Sequence, residues 1–329
     1  MPIKYITKKA LIYDIFKCPK GTIIPVNDID AWLHFPEHNW VYNKIQICRT
    51  QNIKHAPFGV IPPEFPVYIK PIINLYGMGW GSHLIKNISE YENLSSSGYF
   101  WMTVLNGTHY SYDFILVNGD IKWFVCFQGY PSGKGMFDKW ETIPNKEFPV
   151  FLREWISKYI NQDKNYSGCL NIETIDNKII DCHLRMGDVN QLYFNRSSDV
   201  VIKCIIDVYQ NKEDACRELL NYTIPKIYLI PIFVEYNSKS ELNYQDLIDV
   251  CNIDSYSQHI YSYQLDLPQE ESFNPIGGIR VANITTGNLE IGLKVRNKIL
   301  EIIKKRHTYR KIIIGLYCVI ILVIVIYFY

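Results

Sequence analysis

The stretch "NIETIDNKIIDCHLRMGD", Asn171 to Asp188, carries acidic, imidazole and guanidinium groups on what the pattern predicts to be two adjoining strands. Successive side chains of a strand point to opposite faces of the sheet. Asp181, His183 and Arg185 therefore share one face, and the apolar residues between them share the other. The turn residues of "IDNK" predict that the two strands pair as a β-hairpin.

The register of this hairpin decides whether the charged groups meet. With Asp176-Asn177-Lys178 as a three-residue loop, Glu173 lies opposite Asp181 and Asn171 lies opposite His183. A two-residue loop would put Glu173 on the other face. In the first register two carboxylates and an imidazole converge beside a guanidinium, which predicts a hard-cation site with a phosphate clamp. A charged, solvated sheet face is the alternative, and this stretch alone does not decide between them.

Composition limits the class of protein. The chain has 329 residues, of which 48% are hydrophobic, enough for the core of one or two domains. Its net charge of +1 lacks the basic excess typical of nucleic-acid binding, so we expect no nucleic-acid partner. None of the nine cysteines lies in a C-x-x-C pair, and we expect all nine to be reduced. The first residues lack the apolar segment of a secretory signal.

Residues 312–329, "IIIGLYCVIILVIVIYFY", contain no charged residue. As a helix they would span roughly 27 Å, close to the thickness of a bilayer's hydrocarbon core. The basic segment "KKRHTYRK", residues 304–311, precedes them, and the positive-inside rule then keeps the large N-terminal part in the cytoplasm. The pattern predicts a single C-terminal transmembrane helix, a tail anchor with a basic juxtamembrane segment. A buried core helix is the alternative.

The middle of the chain alternates between helical and strand patterns from about Trp40. Residues 40–53 have a helical pattern, and "PVYIKPII", Pro66 to Ile73, is typical of a short strand. Residues 99–127 predict three strands broken at Asn106-Gly107 and Asn118-Gly119, which are both hairpin signals. Residues 148–160 return to helical spacing. The fold class expected is α+β.

A glycine-rich loop follows the strand that contains Lys70. Gly77, Gly79 and Gly81 in "YGMGWGS" would let backbone N–H groups approach an anion closely, because no Cβ stands in the way. Lys70 could place its ammonium on the same phosphate. Glycines also mark plain turns, and the loop alone does not exclude that interpretation.

Taken in order, these motifs resemble the ATP-grasp superfamily, whose members clamp ATP between two α+β subdomains. The family's pattern is matched, over about residues 40–188, by Asn43-Lys44 at a helix start, the "KP" of Lys70-Pro71, the flap Gly77–Ser82, "NGTHYSYD" at 106–113, and the pair "GCLNIET" and "DCHLRMG".

The resemblance implies an ATP-grasp-like two-subdomain fold followed by the transmembrane helix. The expected divisions are a lead-in at 1–39, a first subdomain at 40–100, a second subdomain at 101–303, the basic segment at 304–311 and the anchor at 312–329.

The resemblance also implies roles for individual residues. Mg²⁺ or Mn²⁺ would be held by Glu173, Asp181 and His183, and Arg185 would be the catalytic group that steadies the transferred phosphate. The residues expected to contact ATP are Lys44, Lys70, Gly77, Gly79, Gly81, Ser82 and His109.

Several positions depart from the family's pattern. His109 replaces the glutamate that usually binds the ribose hydroxyls, and Met102 replaces an acidic residue near the adenine. In the last motif Asp181 and His183 replace Glu and Asn. Imidazole nitrogen is softer than an amide oxygen, so Mn²⁺ or Zn²⁺ would suit the site better than Mg²⁺. Only about forty residues precede Lys44, where the family usually has a further domain.

Two functions remain open from the sequence. The first is a membrane-anchored ligase that uses ATP and a divalent metal to activate a carboxylate as an acyl phosphate and joins it to an amine or thiol. Its rate would come from positioning and charge neutralisation. The second is a catalytically degenerate binding or structural membrane protein in a host or virion membrane, since the abundance of Ile, Asn, Lys and Tyr is compatible with a viral or protist source. The substrate pair is not identifiable from the sequence.

Overall fold

Two β-sheets organise the chain in the computed structural model. The residues that the structure describes are 3–4, 18–94, 97–144, 146–162, 165–187, 199–212, 214–222, 224–235, 242–265, 275 and 277–328. Within them the small sheet has the strand order β2-β5-β3-β4, and the large sheet has the order β1-β12-β13-β11-β8-β7-β6-β9-β10.

The small sheet is antiparallel and carries the glycine-rich loop between two of its strands. Its strands are β2 (His55–Pro57), β3 (Val67–Pro71), β4 (His83–Ile85) and β5 (Tyr99–Thr103). Helix α2 (Lys44–Arg49) packs on it because Ile45 and Cys48 join Phe100 and Met102 in one buried cluster. Asn43 caps this helix by accepting hydrogen bonds from the backbone N–H groups of its first turn.

The large sheet is mostly antiparallel and buries apolar residues on both faces. Its strands are β1 (Ile3–Lys4), β6 (His109–Val117), β7 (Asp120–Gly133), β8 (Met136–Thr142), β9 (Gly168–Ile175), β10 (Lys178–His183), β11 (Tyr228–Val234), β12 (Ile260–Leu265) and β13 (Ile279–Thr286).

Helices cover the large sheet where its residues are apolar. α4 (Val150–Trp155), which continues as a π-helical turn (Ile156–Ile160), packs on one face, and α5 (Asp199–Tyr209) packs on the other. The remaining helices are α1 (Asp28–His34), α3 (Ile88–Glu92), α6 (Tyr244–Cys251), α7 (Asp254–Ser257) and α8 (Leu289–Phe328), with short 3₁₀ segments at Asn39–Tyr42 and Arg217–Asn221.

The β9–β10 hairpin has the predicted register but reaches it by a different route. Glu173 pairs with Asp181 and Asn171 pairs with His183, as expected. The turn, however, is the two-residue Asp176-Asn177, with both residues at positive φ (50° and 56°). A β-bulge between Ile179 and Asp181 then inserts one extra residue, Ile180, and restores the register that a two-residue turn alone would lose.

The three strands predicted over residues 99–127 are confirmed as β5, β6 and β7, but one connection differs from the prediction. Asn118-Gly119 closes the β6–β7 hairpin. Asn106-Gly107 instead joins the small sheet to the large one, because β5 pairs with β2 and β3 rather than with β6. β5 therefore crosses the subdomain boundary expected between residues 100 and 101.

The prediction that all nine cysteines are reduced is wrong for two of them. Cys204 of α5 and Cys216 form a disulfide, with their Cα atoms 4.7 Å apart. Both belong to the same buried cluster, so packing brings together two residues whose spacing in sequence gave no signal. Six further cysteines are free thiols, and all of them except Cys18 are buried: Cys18, Cys48, Cys126, Cys169, Cys182 and Cys251.

Helix α8 runs from the core to Phe328 and packs its first turns on β11 and β13 through Val295, Ile299 and Ile303. No helix in the described part of the chain is both long enough and apolar enough to cross a membrane. The anchor predicted at residues 312–329 is not confirmed by the structure.

Candidate functional site

The candidate site lies where α2 and β3 of the small sheet meet β9 and β10 of the large sheet. Lys44, the first residue of α2, donates a hydrogen bond from Nζ to Oδ2 of Asp181 on β10. The Lys44 side chain is 6% exposed and that of Asp181 is 25% exposed. Burial acts to raise the pKa of Asp181, but the charges of Lys44, His183 and Lys70 together outweigh it and the pKa is lowered. This ion pair links α2 to the large sheet.

Lys70 lies beside this ion pair but forms no ion pair with a carboxylate of the described residues. Along β3, Val67 and Ile69 are buried in the small sheet and Lys70 faces the other way, toward Lys44. Within the described residues, no carboxylate oxygen lies within 4.0 Å of its Nζ. Burial lowers the pKa of Lys70, and the charge of Lys44 lowers it further. A second cation at this position favours an anionic ligand.

Glu173 is held by His109 of β6. His109 Nε2 lies 3.0 Å from Glu173 Oε2, and its ring packs edge-on against Phe137 and Trp140 at centroid distances of 5.1 and 5.4 Å. Burial acts to raise the pKa of Glu173, but the hydrogen bond and the charge of His109, together with the charge of His183, outweigh it and the pKa is lowered. His109 therefore contacts the expected metal ligand and keeps it ionised.

A buried polar network lies on the same face, further along β6 and β9. Ser111 is paired with Glu173 across the strands, and Asp113 is paired with Asn171. Asn171 Nδ2 donates to Ser111 Oγ and to Asp113 Oδ1, both at 2.8 Å. The backbone N–H of Gly187 donates to the same Asp113 oxygen at 2.7 Å. These contacts hold β6 and β9 together and fix the segment that follows β10.

Asp28 is a residue of the site that sequence reasoning missed. It begins α1, in the segment expected to be a lead-in, and its side chain is 2% exposed. Its carboxylate accepts from Arg185 Nη2 at 2.7 Å and lies 3.0 Å from His183 Nδ1. Burial acts to raise the pKa of Asp28, but the charges of Arg185 and His183 outweigh it and hold the pKa well below its usual range.

Arg185 consequently lies in a buried ion pair. Its side chain is 7% exposed, and its Nη1 donates to the carbonyl of Met186 at 2.9 Å. The sequence contained no signal for this arrangement, because Asp28 and Arg185 are separated by 157 positions. The resemblance implied contact between Arg185 and a transferred phosphate, and the structure adds that its guanidinium is paired with Asp28.

The predicted three-ligand metal site is not present as a preformed cluster. Within the described residues, no three His, Cys, Asp or Glu side chains are arranged to hold a metal ion. The physical reason is that Glu173, Asp181 and His183 each have a partner of their own, namely His109, Lys44 and Asp28. His183 Nε2 lies 3.7 Å from Asp181 Oδ1.

His183 fits the role of a metal ligand less well than the two carboxylates do. Burial acts to lower the pKa of His183, but the carboxylates of Asp28 and Asp181 together outweigh it and the pKa is raised. A raised pKa favours the protonated imidazole, which has no lone pair free for a metal. Glu173 and Asp181, part-exposed and directly opposite each other, fit a hard divalent cation.

The glycine-rich loop lies between β3 and β4, where the flap was expected. Gly77, Gly79 and Gly81 all have positive φ, and the backbone N–H of Ser82 donates to the carbonyl of Gly79 at 3.1 Å. A Cβ at Gly81 would lie 2.6 Å from the Tyr99 hydroxyl, so only glycine fits there. Space is open around Gly77 and Gly79, which are the positions where a ligand could approach the backbone.

No protein-family model matches the sequence, and no curated protein matches it. Several solved structures, in contrast, are similar to this chain. The carboxyaminoimidazole ribonucleotide synthase of Aspergillus clavatus, solved with ATP, matches 80% of this chain and 73% of its own at 8% identity, with a TM-score of 0.56. An L-amino acid ligase of Bacillus licheniformis matches 80% of this chain and 71% of its own at 12% identity, with a TM-score of 0.55.

A third similar structure is the N5-carboxyaminoimidazole synthase of Aspergillus clavatus in complex with ADP and 5-aminoimidazole ribonucleotide. It matches 80% of this chain and 72% of its own at 8% identity, with a TM-score of 0.53. Likeness at such low identity establishes the fold alone. That fold is the ATP-grasp fold, as the order of the sequence motifs predicted.

Proposed function

We propose that this chain binds ATP between its two sheets and acts as an ATP-dependent ligase. It would activate a carboxylate as an acyl phosphate and join it to an amine or a thiol. The fold supports this proposal, because proteins similar to the chain include an L-amino acid ligase and structures solved with ATP and with ADP.

One observation carries the proposal. Lys44 and Lys70 of the first subdomain come together beside Glu173 and Asp181 of the second, and Lys70 has no carboxylate within ion-pair distance in the described residues. Two ammonium groups suit a chain of phosphates, and two carboxylates on neighbouring strands suit a divalent cation. A nucleotide with its cation would neutralise both halves of the site.

The roles of the remaining residues follow from their positions. Glu173 and Asp181 would hold Mg²⁺ or Mn²⁺, and that cation would supply neutralisation of the charge on the phosphates. The open backbone at Gly77 and Gly79 would contact the phosphates, with Gly81 and Ser82 closing the loop. His109 would keep Glu173 ionised and oriented. A direct role of Arg185 toward the transferred phosphate stays a prediction.

Lys70→Ala tests the nucleotide site. The variant should bind ATP about 10- to 150-fold more weakly, the effect of losing about 1.5–3 kcal/mol from a hydrogen bond to a charged group. Thermal unfolding measures this, since ATP that binds the folded state raises the melting temperature of the wild type. Lys54→Ala is the matched control, because Lys54 is exposed and pairs only with exposed Glu64 in the described residues. Millimolar ATP that leaves the wild-type melting temperature unchanged would contradict the proposal.

The uncharged segment 312–329 and the basic segment 304–311 support a further part of the proposal, a single-pass anchor with the N-terminal part in the cytoplasm. Full-length protein should stay in the pellet on carbonate extraction, and a chain that stops before Ile312 should not. The double variant I320K/I321K is the sharper test, because each lysine at the centre of a spanning helix costs about 3 kcal/mol. Wild-type protein in the carbonate supernatant would exclude the anchor.

A further inference from the structure

The ion pair between Lys44 and Asp181 joins two residues that the proposed function assigns to different ligands. Lys44 would contact the phosphates, and Asp181 would hold the divalent cation. In the structure the two side chains are paired with each other instead. Lys44 Nζ is hydrogen-bonded to Asp181 Oδ2, and only 6% of the lysine side chain is exposed. Neither charge is fully available to its own ligand while the pair persists.

The neighbouring charges of the site do not share this arrangement. Glu173 is paired with His109 rather than with a lysine, at 3.0 Å. Lys70 has no carboxylate within 4.0 Å in the described residues. The site therefore contains two lysines and two carboxylates, and only Lys44 and Asp181 are paired with each other. This difference between otherwise similar residues provides internal controls.

We propose that Lys44 and Asp181 form an exchange pair, which couples the binding of the nucleotide to the binding of the divalent cation. Phosphates that attract Lys44 release Asp181 for the cation, and a cation that attracts Asp181 releases Lys44 for the phosphates. By linkage the coupling is reciprocal, so each ligand raises the affinity for the other by the same factor. This inference rests on the proposed function and adds a coupling between the affinities for its two ligands.

Electrostatics gives the reason that the pair matters. A largely buried ion pair is screened less by water and salt than an exposed one. Each ligand arriving alone must separate the pair and leave one buried charge without its partner, which is costly. The second ligand then binds to a charge that is already released.

Asp181→Asn provides the first test, with a result opposite to that expected for loss of a simple binding residue. Without its carboxylate Lys44 is free, so metal-free ADP, measured by calorimetry in EDTA, should bind about fivefold or more tightly than to the wild type. Glu173→Gln is the matched control, because it removes the same charge from the same site without releasing a lysine. Its effect on metal-free ADP should be clearly smaller.

Lys44→Gln provides the second test. With Asp181 released, Mn²⁺ in the absence of nucleotide should bind about fivefold or more tightly than to the wild type. Lys70→Gln is the control, since it also removes a positive charge from the site but frees no carboxylate. The circular dichroism of each variant shows whether the fold is retained.

The variants also separate this inference from the proposed function. If folded Asp181→Asn binds metal-free ADP no more tightly than Glu173→Gln does, or folded Lys44→Gln binds Mn²⁺ no more tightly than Lys70→Gln does, the exchange pair is overturned while nucleotide binding stands. If the wild type binds no nucleotide with or without Mn²⁺, the proposed function fails and the inference fails with it. Tightening confined to Asp181→Asn and Lys44→Gln supports the exchange pair.

Discussion

Asp181→Asn and Glu173→Gln are each expected to lower ATP-dependent phosphate release by at least about 100-fold, the scale found when one preorganised charge-stabilising group is removed. The two carboxylates lie directly opposite each other on β9 and β10, and a single one would hold a divalent cation too weakly at the phosphates. The measurement is phosphate release from ATP with pooled amino acids and peptides as acceptors. Glu64→Gln, an exposed carboxylate elsewhere, should retain wild-type activity.

For Asp181→Asn the expected loss of activity accompanies a gain in affinity for metal-free ADP. A general loss of folding would lower both, so the combination identifies a local effect. Phosphate release above a tenth of the wild-type rate in either variant would contradict the two-carboxylate site. A wild type that gains stability with ATP but releases no phosphate with any acceptor would instead support the alternative function, a degenerate binding module.

Asp28→Ala is expected to lower the free energy of unfolding by about 3–5 kcal/mol, the usual cost of removing one partner from a buried ion pair. The carboxylate contacts both Arg185 and His183, and all three side chains are less than 10% exposed. Urea unfolding followed by circular dichroism measures the change. Asp120→Ala is the control, since Asp120 pairs with Lys122 at the surface and should contribute less than about 1 kcal/mol.

The same variant bears on the role of Arg185. If Asp28→Ala costs less than about 1 kcal/mol, the ion pair is not a structural element and Arg185 is available for a ligand. Asp28→Asn refines the comparison, because it keeps the shape of the side chain and removes its charge. A large loss of stability in both variants would mean that the buried carboxylate is needed to hold the end of β10 in place.

The sequence predicted the fold and the pairing of β9 with β10 because those features depend on local patterns. Alternation placed Asp181 and His183 on one face, and the order of motifs placed Lys44, Lys70 and the flap in one fold. The turn could not be predicted with the same success. Asp176-Asn177 forms a two-residue turn, and only the bulge at Ile180 restores the expected pairing, a feature for which the alternation gives no signal.

Contacts between segments that lie far apart in the chain could not be predicted from the sequence. Nothing in the pattern around Asp28 indicates that it pairs with Arg185, and nothing at His109 indicates that it holds Glu173. The disulfide between Cys204 and Cys216 likewise depends on how α5 packs. In each case several residues have the same local sequence pattern, and only the tertiary fold determines which of them pair. A single sequence does not show which pair forms.

The bulge at Ile180 makes the chemistry of this face depend on whether the number of residues between two side chains is odd or even. Between Glu173 and Asp181 the chain has seven residues. One of them, the bulge residue Ile180, brings Asp181 back to the same face of the sheet as Glu173. Any insertion or deletion of a single residue there would exchange the two faces of β10, sending its carboxylate into the apolar layer beneath α4, whereas a change of two residues would preserve them. In comparisons with distant relatives, the length of this segment is therefore as informative about the site as the identity of its acidic residues.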